Sequence, residues 1–442
     1  MTTIIIDYFS GIFIESTAGR TKKSFLLLSI LANGGMLFFF KYFNFFNENL
    51  SAISGFFNIA YQPFILNIVL PIGLSFHVFQ SMSYTIEIYR GNQKAERHFG
   101  ILALYVLFFP QLVAGPIERP QNLIHQFYER HKFDISRVGS GLALMLGGFI
   151  KKVVIADRLA LFVNPVFSNA TEYYGISLLI AGVFFAFQIY CDFSGYSSIA
   201  LGSARVLGIN LMQNFERPFF ARSIAKFWQR WHISLSSWLH DYLYYPIVFS
   251  FKQKTAAKLY LATLITFTLI GLWHGANWTF VIFGALQGIY IFIGQATKQF
   301  RTRIAEWVGI AKWPSLYHIW QSAIVFGLFS LSLIFFRANT LQDAVYIISH
   351  FGDGWPVFIS NFSNPQFLNQ YIFMGFSKSE FYLSVFSILS LISYELIYKT
   401  TKFRAFFDRQ PAFVGAFIFT LGILSLFVFG TFSGQEFIYF QF

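Results

Sequence analysis

The chain has 442 residues, of which 55% are hydrophobic, 21% aromatic and only 12% charged, with a formal net charge of +12. Soluble domains carry about 25% charged residues, so this chain cannot cover a water-soluble surface of its size, which excludes a disordered chain, a secreted disulfide scaffold and an ordinary cytosolic enzyme. The apolar residues run continuously over helical lengths, without the alternation of an outer-membrane barrel, and predict an all-α polytopic membrane protein.

In chain order the predicted spans are Ser24–Phe46, Phe64–Tyr89, Gly100–Val113, Gly139–Ile155, Gly175–Cys191, Lys258–His274, Asn277–Gln295, Ser322–Phe336, Phe381–Tyr398 and Ala412–Phe432. Several are shorter than the roughly 20 residues that cross a hydrocarbon core, which predicts tilted, half-buried or re-entrant helices shielded by protein. Arg20, Lys22 and Lys23 place the start of the first span on the cytoplasmic side, and the Asn47–Gln62 loop, free of Lys and Arg, outside. Arg90, Lys94 and Arg97 return inside, as do Lys252, Lys254 and Lys258 and then Lys298, Arg301 and Arg303 at the two feet of one hairpin. Lys399, Lys402, Arg404 and Arg409 leave Phe442 outside. Parity between Gly115 and Arg217 needs one more crossing, within Leu159–Tyr174, or a re-entrant segment.

The segment Ala338–Glu380 reads as an external loop with short surface helices, and Arg217–Ser250, rich in Trp, Tyr and basic residues, as amphipathic, lying at an interface or folding back into the protein. The whole chain, 1–442, reads as one integral-membrane domain without repeat or linker. The basic residues lie between spans, as the positive-inside rule requires, and not in a soluble block that would bind nucleic acid. Cys191 is the single cysteine, so neither an internal disulfide nor a cysteine metal site can form. No cleavable signal peptide is visible.

Polar residues inside apolar surroundings are costly and mark function. His274, in GLWHGANW, ends an apolar helix between Gly271 and Gly275. It is either a histidine satisfied by a carbonyl between helices or a general base. His232, in FWQRWHISLSS, follows Arg230 and Trp231. A His with an Arg and nearby serine hydroxyls suits an oxyanion or a carbonyl substrate, whereas the alternative is an interfacial helix with Trp anchors. Zinc between the two histidines lacks third and fourth ligands at diagnostic spacing. Asp192, directly after an apolar run, needs a partner or water. The neighbouring Ser and Gly residues serve close helix packing or line a cavity. FFPQLVAGPIERP, Phe108–Pro120, has three prolines and cannot be a regular helix throughout. No Walker A motif, dinucleotide fingerprint or Gly-x-Ser-x-Gly elbow is present.

Seven motifs, PIGLSFHVFQSMSYTIEIYRG (Pro71–Gly91), FFPQLVAGPIERP, QIYCDFSGYSSIALGSARVLG, FWQRWHISLSSWLHDYLYYP, GLWHGANW, FFRANTLQDA (Phe335–Ala344) and the terminal FIYFQF, stand in order along nearly the whole chain. They resemble the membrane-bound O-acyltransferase superfamily, and within it the bacterial branch similar to alginate O-acetyltransferases. The resemblance implies about 10–12 transmembrane or re-entrant helices around a catalytic tunnel. It also implies an extra apolar stretch ahead of the part matching Ile4–Ser16, so this chain reads as a shortened form or a late start. His240 stands where similar proteins often have Arg.

The resemblance further implies an O-acyltransferase of the bacterial cytoplasmic membrane, with its C-terminus outside. Acetyl-CoA or another cytoplasmic acyl thioester would be the donor, with no permanently bound cofactor and no metal. The acceptor would be an exported polysaccharide, reached directly or through an SGNH-type acetyltransferase partner outside. His274 would be the central catalytic residue and His232 its partner. Arg230, Trp273, Asn277 and Asp192 would support the carbonyl, the oxyanion or the tunnel. FIYFQF resembles the end of a small partner protein of teichoic acid D-alanylation, which makes Tyr439 a candidate transient acyl carrier. The rival expectations are D-alanyl or other acyl transfer to teichoic acid or a lipid-linked sugar, and a non-catalytic transporter or flippase, for which no inverted repeat is visible.

Overall fold

The computed structural model describes residues 1–68, 71, 73–397, 411–432, 434 and 436–438. It is all-α, with no β-strand among the described residues. Among the described residues, seven helices are long and apolar enough to cross a membrane. After the short α1 (Thr2–Ser16) and in chain order, the principal helices are α2 (Gly19–Phe56), α3 (Leu74–Arg90), α4 (Ile135–Ser168), α5 (Ile176–Leu207), α6 (Ala256–His274), α7 (Trp278–Ala296), α8 (Pro314–Arg337), α9 (Lys378–Ile397) and α10 (Ala412–Phe429).

The central post is α5. Its 32 residues span about 48 Å, more than the ~30 Å hydrocarbon core. Of its most apolar 18-residue stretch, 78% is buried, against 17% in α4, so α5 is the axis around which the other spans pack. The contact with α4 is made backbone to backbone. A Cβ on Gly148 would lie 2.5 Å from the Gly195 carbonyl oxygen, so the small residues of the FSGYSS run serve helix packing. A second hairpin joins α6 to α7 in the same way: a Cβ on Gly271 would stand 2.1 Å from the Phe280 carbonyl, and one on Gly284 2.2 Å from that of Phe267.

Three sequence expectations are corrected. Within Phe64–Tyr89 the helix among the described residues begins only at Leu74, and the described stretch 59–68 ahead of it has no regular secondary structure. The Asn44 amide clamps that irregular backbone, donating to the Leu66 carbonyl at 2.9 Å and accepting from the Leu66 amide at 2.8 Å. Within Gly100–Val113 the helix stops at Leu107. The stretch that follows is irregular, as its prolines require, and is shielded: the Tyr105 hydroxyl donates to the Glu118 carbonyl (2.8 Å) and Gln111 Nε2 to the Tyr105 carbonyl (2.9 Å). Finally, α4 continues through its π-helical turn and Leu159 to Ser168, so Leu159–Tyr174 forms no separate crossing. Between α8 and α9 lie the short helices Leu341–Ser349, Trp355–Ser360 and Pro365–Tyr371, as expected for a surface loop.

Among the described residues, three π-helical turns interrupt the α-helical geometry, at Phe38–Tyr42, Ile150–Ala156 and His240–Tyr244. Such turns are wider than α-helix, often occur at functional sites, and here carry the polar residues Lys41, Lys152 and Asp241.

Candidate functional site

The Arg217–Ser250 segment folds back into the protein. Phe227, Trp228, Trp231, His232, Leu235 and Trp238 are all buried. His232 sits in the left-handed region at φ +44°, immediately before the short helix Ile233–Leu239. Such a backbone costs a non-glycine residue of order 1–3 kcal/mol and is retained where surroundings fix it.

The fixing group is the buried Asn214. Its Oδ1 accepts from the Ser234 amide (3.2 Å) and hydroxyl (2.9 Å) and lies 3.1 Å from His232 Nδ1. The atom that takes two donors must be the amide oxygen, and Nδ2 correspondingly donates to Ser197 Oγ at 3.3 Å. The third partner, His232 Nδ1, therefore has to be a donor. A neutral imidazole protonated at Nδ1 carries its lone pair on Nε2, and that buried atom has no hydrogen-bond partner among the described residues.

His274 closes α6, with Gly275 extended behind it. A Cβ on Gly275 would meet the Phe280 ring at 2.2 Å, so the sequence needs glycine there to let the chain turn into α7. The His274 ring packs against Trp273 (centroids 4.9 Å), Phe336 (5.2 Å) and Phe283 (6.1 Å).

Trp273 brings the two histidines together. Its indole lies 6.2 Å from the His232 ring, edge-on to Phe76 (5.4 Å) and stacked on Phe79 (5.4 Å). The buried Trp273 Nε1–H has no hydrogen-bond partner among the described residues. The arrangement therefore holds two imidazoles and one unsatisfied N–H donor in an aromatic, water-poor box. Imidazoles move protons near neutrality, and a donor in low dielectric stabilises developing negative charge.

The other sequence-predicted residues lie apart from this box or serve it indirectly. Arg230 lines a cleft of about 460 Å³ with Glu216, Arg222, Lys226, Gln229 and Gln321. Asn277 is exposed and caps α7, accepting from the Thr279 amide at 3.0 Å. Asp192 is buried and held by Lys152 Nζ at 2.7 Å, which also binds Asp157 at 2.8 Å. The other oxygen of Asp192 accepts from the Ile438 amide at 2.8 Å, which pins the C-terminal tail to α5. Next to it Phe437 stacks on Tyr196 (5.0 Å) and lies near Phe193 (6.3 Å), whose ring meets His232 edge-on at 4.7 Å. Tyr439 lies outside the described residues.

Sequence reasoning missed two residues. Asn214 lies in the irregular stretch that follows α5, with no periodic signal. Lys41 is the one charged residue of the predicted span Ser24–Phe46, which is itself a signal, since a cation in a membrane needs a partner. Its Nζ donates to the carbonyls of Trp273 (2.8 Å) and His274 (2.9 Å).

The fold and this box define a multi-pass, all-α membrane protein with two histidines gathered on one buried indole. Residues 98–336 match the membrane-bound O-acyltransferase family, and the chain belongs to that family. It is 38% identical over 342 residues to the probable alginate O-acetylase of Pseudomonas putida, covering 76% of this chain and 67% of that protein. The peptidoglycan O-acetyltransferase of Helicobacter pylori is 32% identical over 379 residues, 78% of this chain and 68% of the relative. The teichoic acid D-alanyltransferase of Streptococcus thermophilus is 29% identical over 237 residues, covering 51% and 57%. The chain spans 54–67% of the length of the alginate O-acetylase relatives it matches.

Proposed function

We propose that the chain is an O-acetyltransferase of the bacterial cytoplasmic membrane. It takes an acetyl group from a cytoplasmic thioester, acetyl-CoA, and passes it toward hydroxyls of an exported polysaccharide, directly or through an SGNH-type partner outside. The observation that carries this reading is the pair of buried imidazoles on Trp273 in a chain of this family. One imidazole accepts the hydroxyl proton as the oxygen attacks the thioester carbonyl. The tetrahedral oxyanion forms beside the Trp273 N–H, the C–S bond breaks, and the thiolate leaves with the proton. His274 is the base in this scheme. His232, its Nδ1–H anchored by Asn214, turns Nε2 toward the reacting groups. The aromatic walls limit hydrolysis by water.

The cleft of Arg222, Lys226 and Arg230 supports donor entry from the cytoplasm, because a phosphate-bearing thioester needs cations at the mouth. Its lining residue Gln321 stands on α8, the helix that follows in sequence the basic cluster Lys298, Arg301 and Arg303 that the positive-inside rule assigns to the cytoplasm. The route of the tail supports a relay in two steps. The Tyr439 phenol first attacks the thioester to give an acetyl-tyrosyl ester, and an acceptor hydroxyl then takes the acetyl and restores the phenol. The terminal FIYFQF and the stronger identity to O-acetylating relatives favour this reading over D-alanyl transfer.

Purified protein in vesicles, given radiolabelled acetyl-CoA and an alginate oligosaccharide, is expected to release CoA thiol and label the sugar. A transporter would leave the thioester intact. Mass spectrometry of a stalled reaction is expected to find acetyl on Tyr439. An unlabelled tail together with a fully active Tyr439→Phe variant would remove the relay while leaving direct transfer standing.

A further inference from the structure

The last turn of α6 presents a problem that the sequence does not advertise. A helix ends with four carbonyls that lack intrahelical donors, and in a membrane no bulk water satisfies them. At the His274 end the remaining ladder is weak: the Gly275 amide reaches the Gly271 carbonyl at 3.4 Å, and beyond it the chain is extended. Three consecutive carbonyls are instead taken by two consecutive residues of α2. Tyr42 Oη donates to Leu272 at 3.1 Å, and Lys41 Nζ donates to Trp273 at 2.8 Å and His274 at 2.9 Å. These residues are some 230 positions apart in sequence. The π-helical turn Phe38–Tyr42 widens α2 where Lys41 and Tyr42 both reach α6.

Two physical arguments tie this contact to the site. An ammonium within a membrane span is costly unless paired, and here its partners are the main-chain oxygens of the two residues whose rings form the box. A cation at a helix C-terminus also meets the negative end of the helix dipole, so the contact is favourable as well as geometric. We infer that Lys41 is a positioning residue for His274 and Trp273: by holding their two carbonyls it sets the backbone from which the imidazole and the indole N–H project. Lys41 acts through these residues and touches no substrate. The inference rests on the acyl-transfer reading of the site.

The test compares His274→Ala, Lys41→Met and Lys41→Arg in nanodiscs, with acetyl-CoA and an alginate oligosaccharide as probes. Thiol release is measured under saturating and limiting donor, and folded amount by size-exclusion chromatography. Lys41→Met, which keeps the stem and removes the donors, is expected to lower kcat about 10–100-fold, the effect of displacing a reacting group by roughly 1 Å, with little change in KM. Lys41→Arg, which keeps a cation with several donors, is expected to restore most of kcat. A helix cap with no bearing on the site would cost folded protein and leave the kcat of the folded fraction at the wild-type value. That result, or a Lys41→Arg as slow as Lys41→Met, overturns the inference. A His274→Ala variant with wild-type kcat overturns the reading beneath it, whereas an inactive His274→Ala beside a fully active Lys41→Met overturns the Lys41 assignment alone.

Discussion

Replacing Asn214 by Leu isolates the role of the amide that holds His232. The two side chains have the same number and branching of heavy atoms, so the polar loss dominates. Three contacts on Oδ1 disappear, at 2.9, 3.1 and 3.2 Å, all buried. The Ser234 hydroxyl can rotate to another acceptor, but the Ser234 amide and His232 Nδ1 are fixed. Two stranded buried donors at about 1–3 kcal/mol each give a loss of stability of about 2–6 kcal/mol. In the surviving fold, His232 loses the partner that selects its Nδ1–H tautomer, and the ring is no longer held at its strained backbone position. A preference of about 1–3 kcal/mol given up in this way corresponds to roughly 5–150-fold in rate. Asn214→Asp keeps acceptor oxygens in the same place and is expected to retain the Nδ1–H tautomer. The assay is thiol release from acetyl-CoA by protein in nanodiscs, with ¹⁵N-histidine spectra reporting the tautomer. A folded Asn214→Leu at the wild-type rate, or a wild-type His232 protonated at Nε2, would refute the reasoning.

Two further outcomes follow from the packing. Gly271→Ala places a Cβ 2.1 Å from the Phe280 carbonyl and must part α6 from α7, which is expected to cost about 1–3 kcal/mol and to lower the thermal midpoint in detergent; an unchanged midpoint would contradict the close approach. Lys152→Met leaves the buried Asp192 and Asp157 without their shared cation and is expected to destabilise by about 3–5 kcal/mol, while freeing the tail for proteolysis beyond Phe429; a wild-type digestion pattern would show that the tail is held by something else.

The long spans were legible because apolar run length is a direct consequence of membrane thickness. Lys258–His274 and Asn277–Gln295 match α6 and α7 to within two residues at each end. The glycines of GLWHGANW were legible for the same kind of reason, since a small residue beside an intramembrane His points to close backbone approach. Composition alone says less about what proline and π-turns do. The Phe64–Tyr89 run is apolar enough for a helix, yet beside Pro63 and the Asn44 clamp on Leu66 its described residues 64–68 form none, and the helix begins at Leu74. The roles of single polar residues were harder still. Asn277 carries the right chemistry for an oxyanion donor, but it opens α7 and its side chain caps that helix. Arg230 is adjacent to Trp231 in sequence, yet lines a cleft instead of the aromatic box. Asn214 and Lys41 act on residues 18 to 233 positions away, and only the folded chain brings them there. The tail is the opposite case: FIYFQF stood out as a motif, and its described part, Phe437 and Ile438, is buried against α5 near the ring that meets His232.

The central claim is that the imidazoles on Trp273 carry an acyl transfer. Single-turnover transfer from radiolabelled acetyl-CoA, followed in nanodiscs for the wild type and His274→Ala, tests it most directly. General acid–base catalysis contributes typically 10²–10⁴-fold, so the variant is expected to lose about that much in the chemical step while still binding the donor. A His274→Ala protein that transfers acetyl at the wild-type rate would contradict the account.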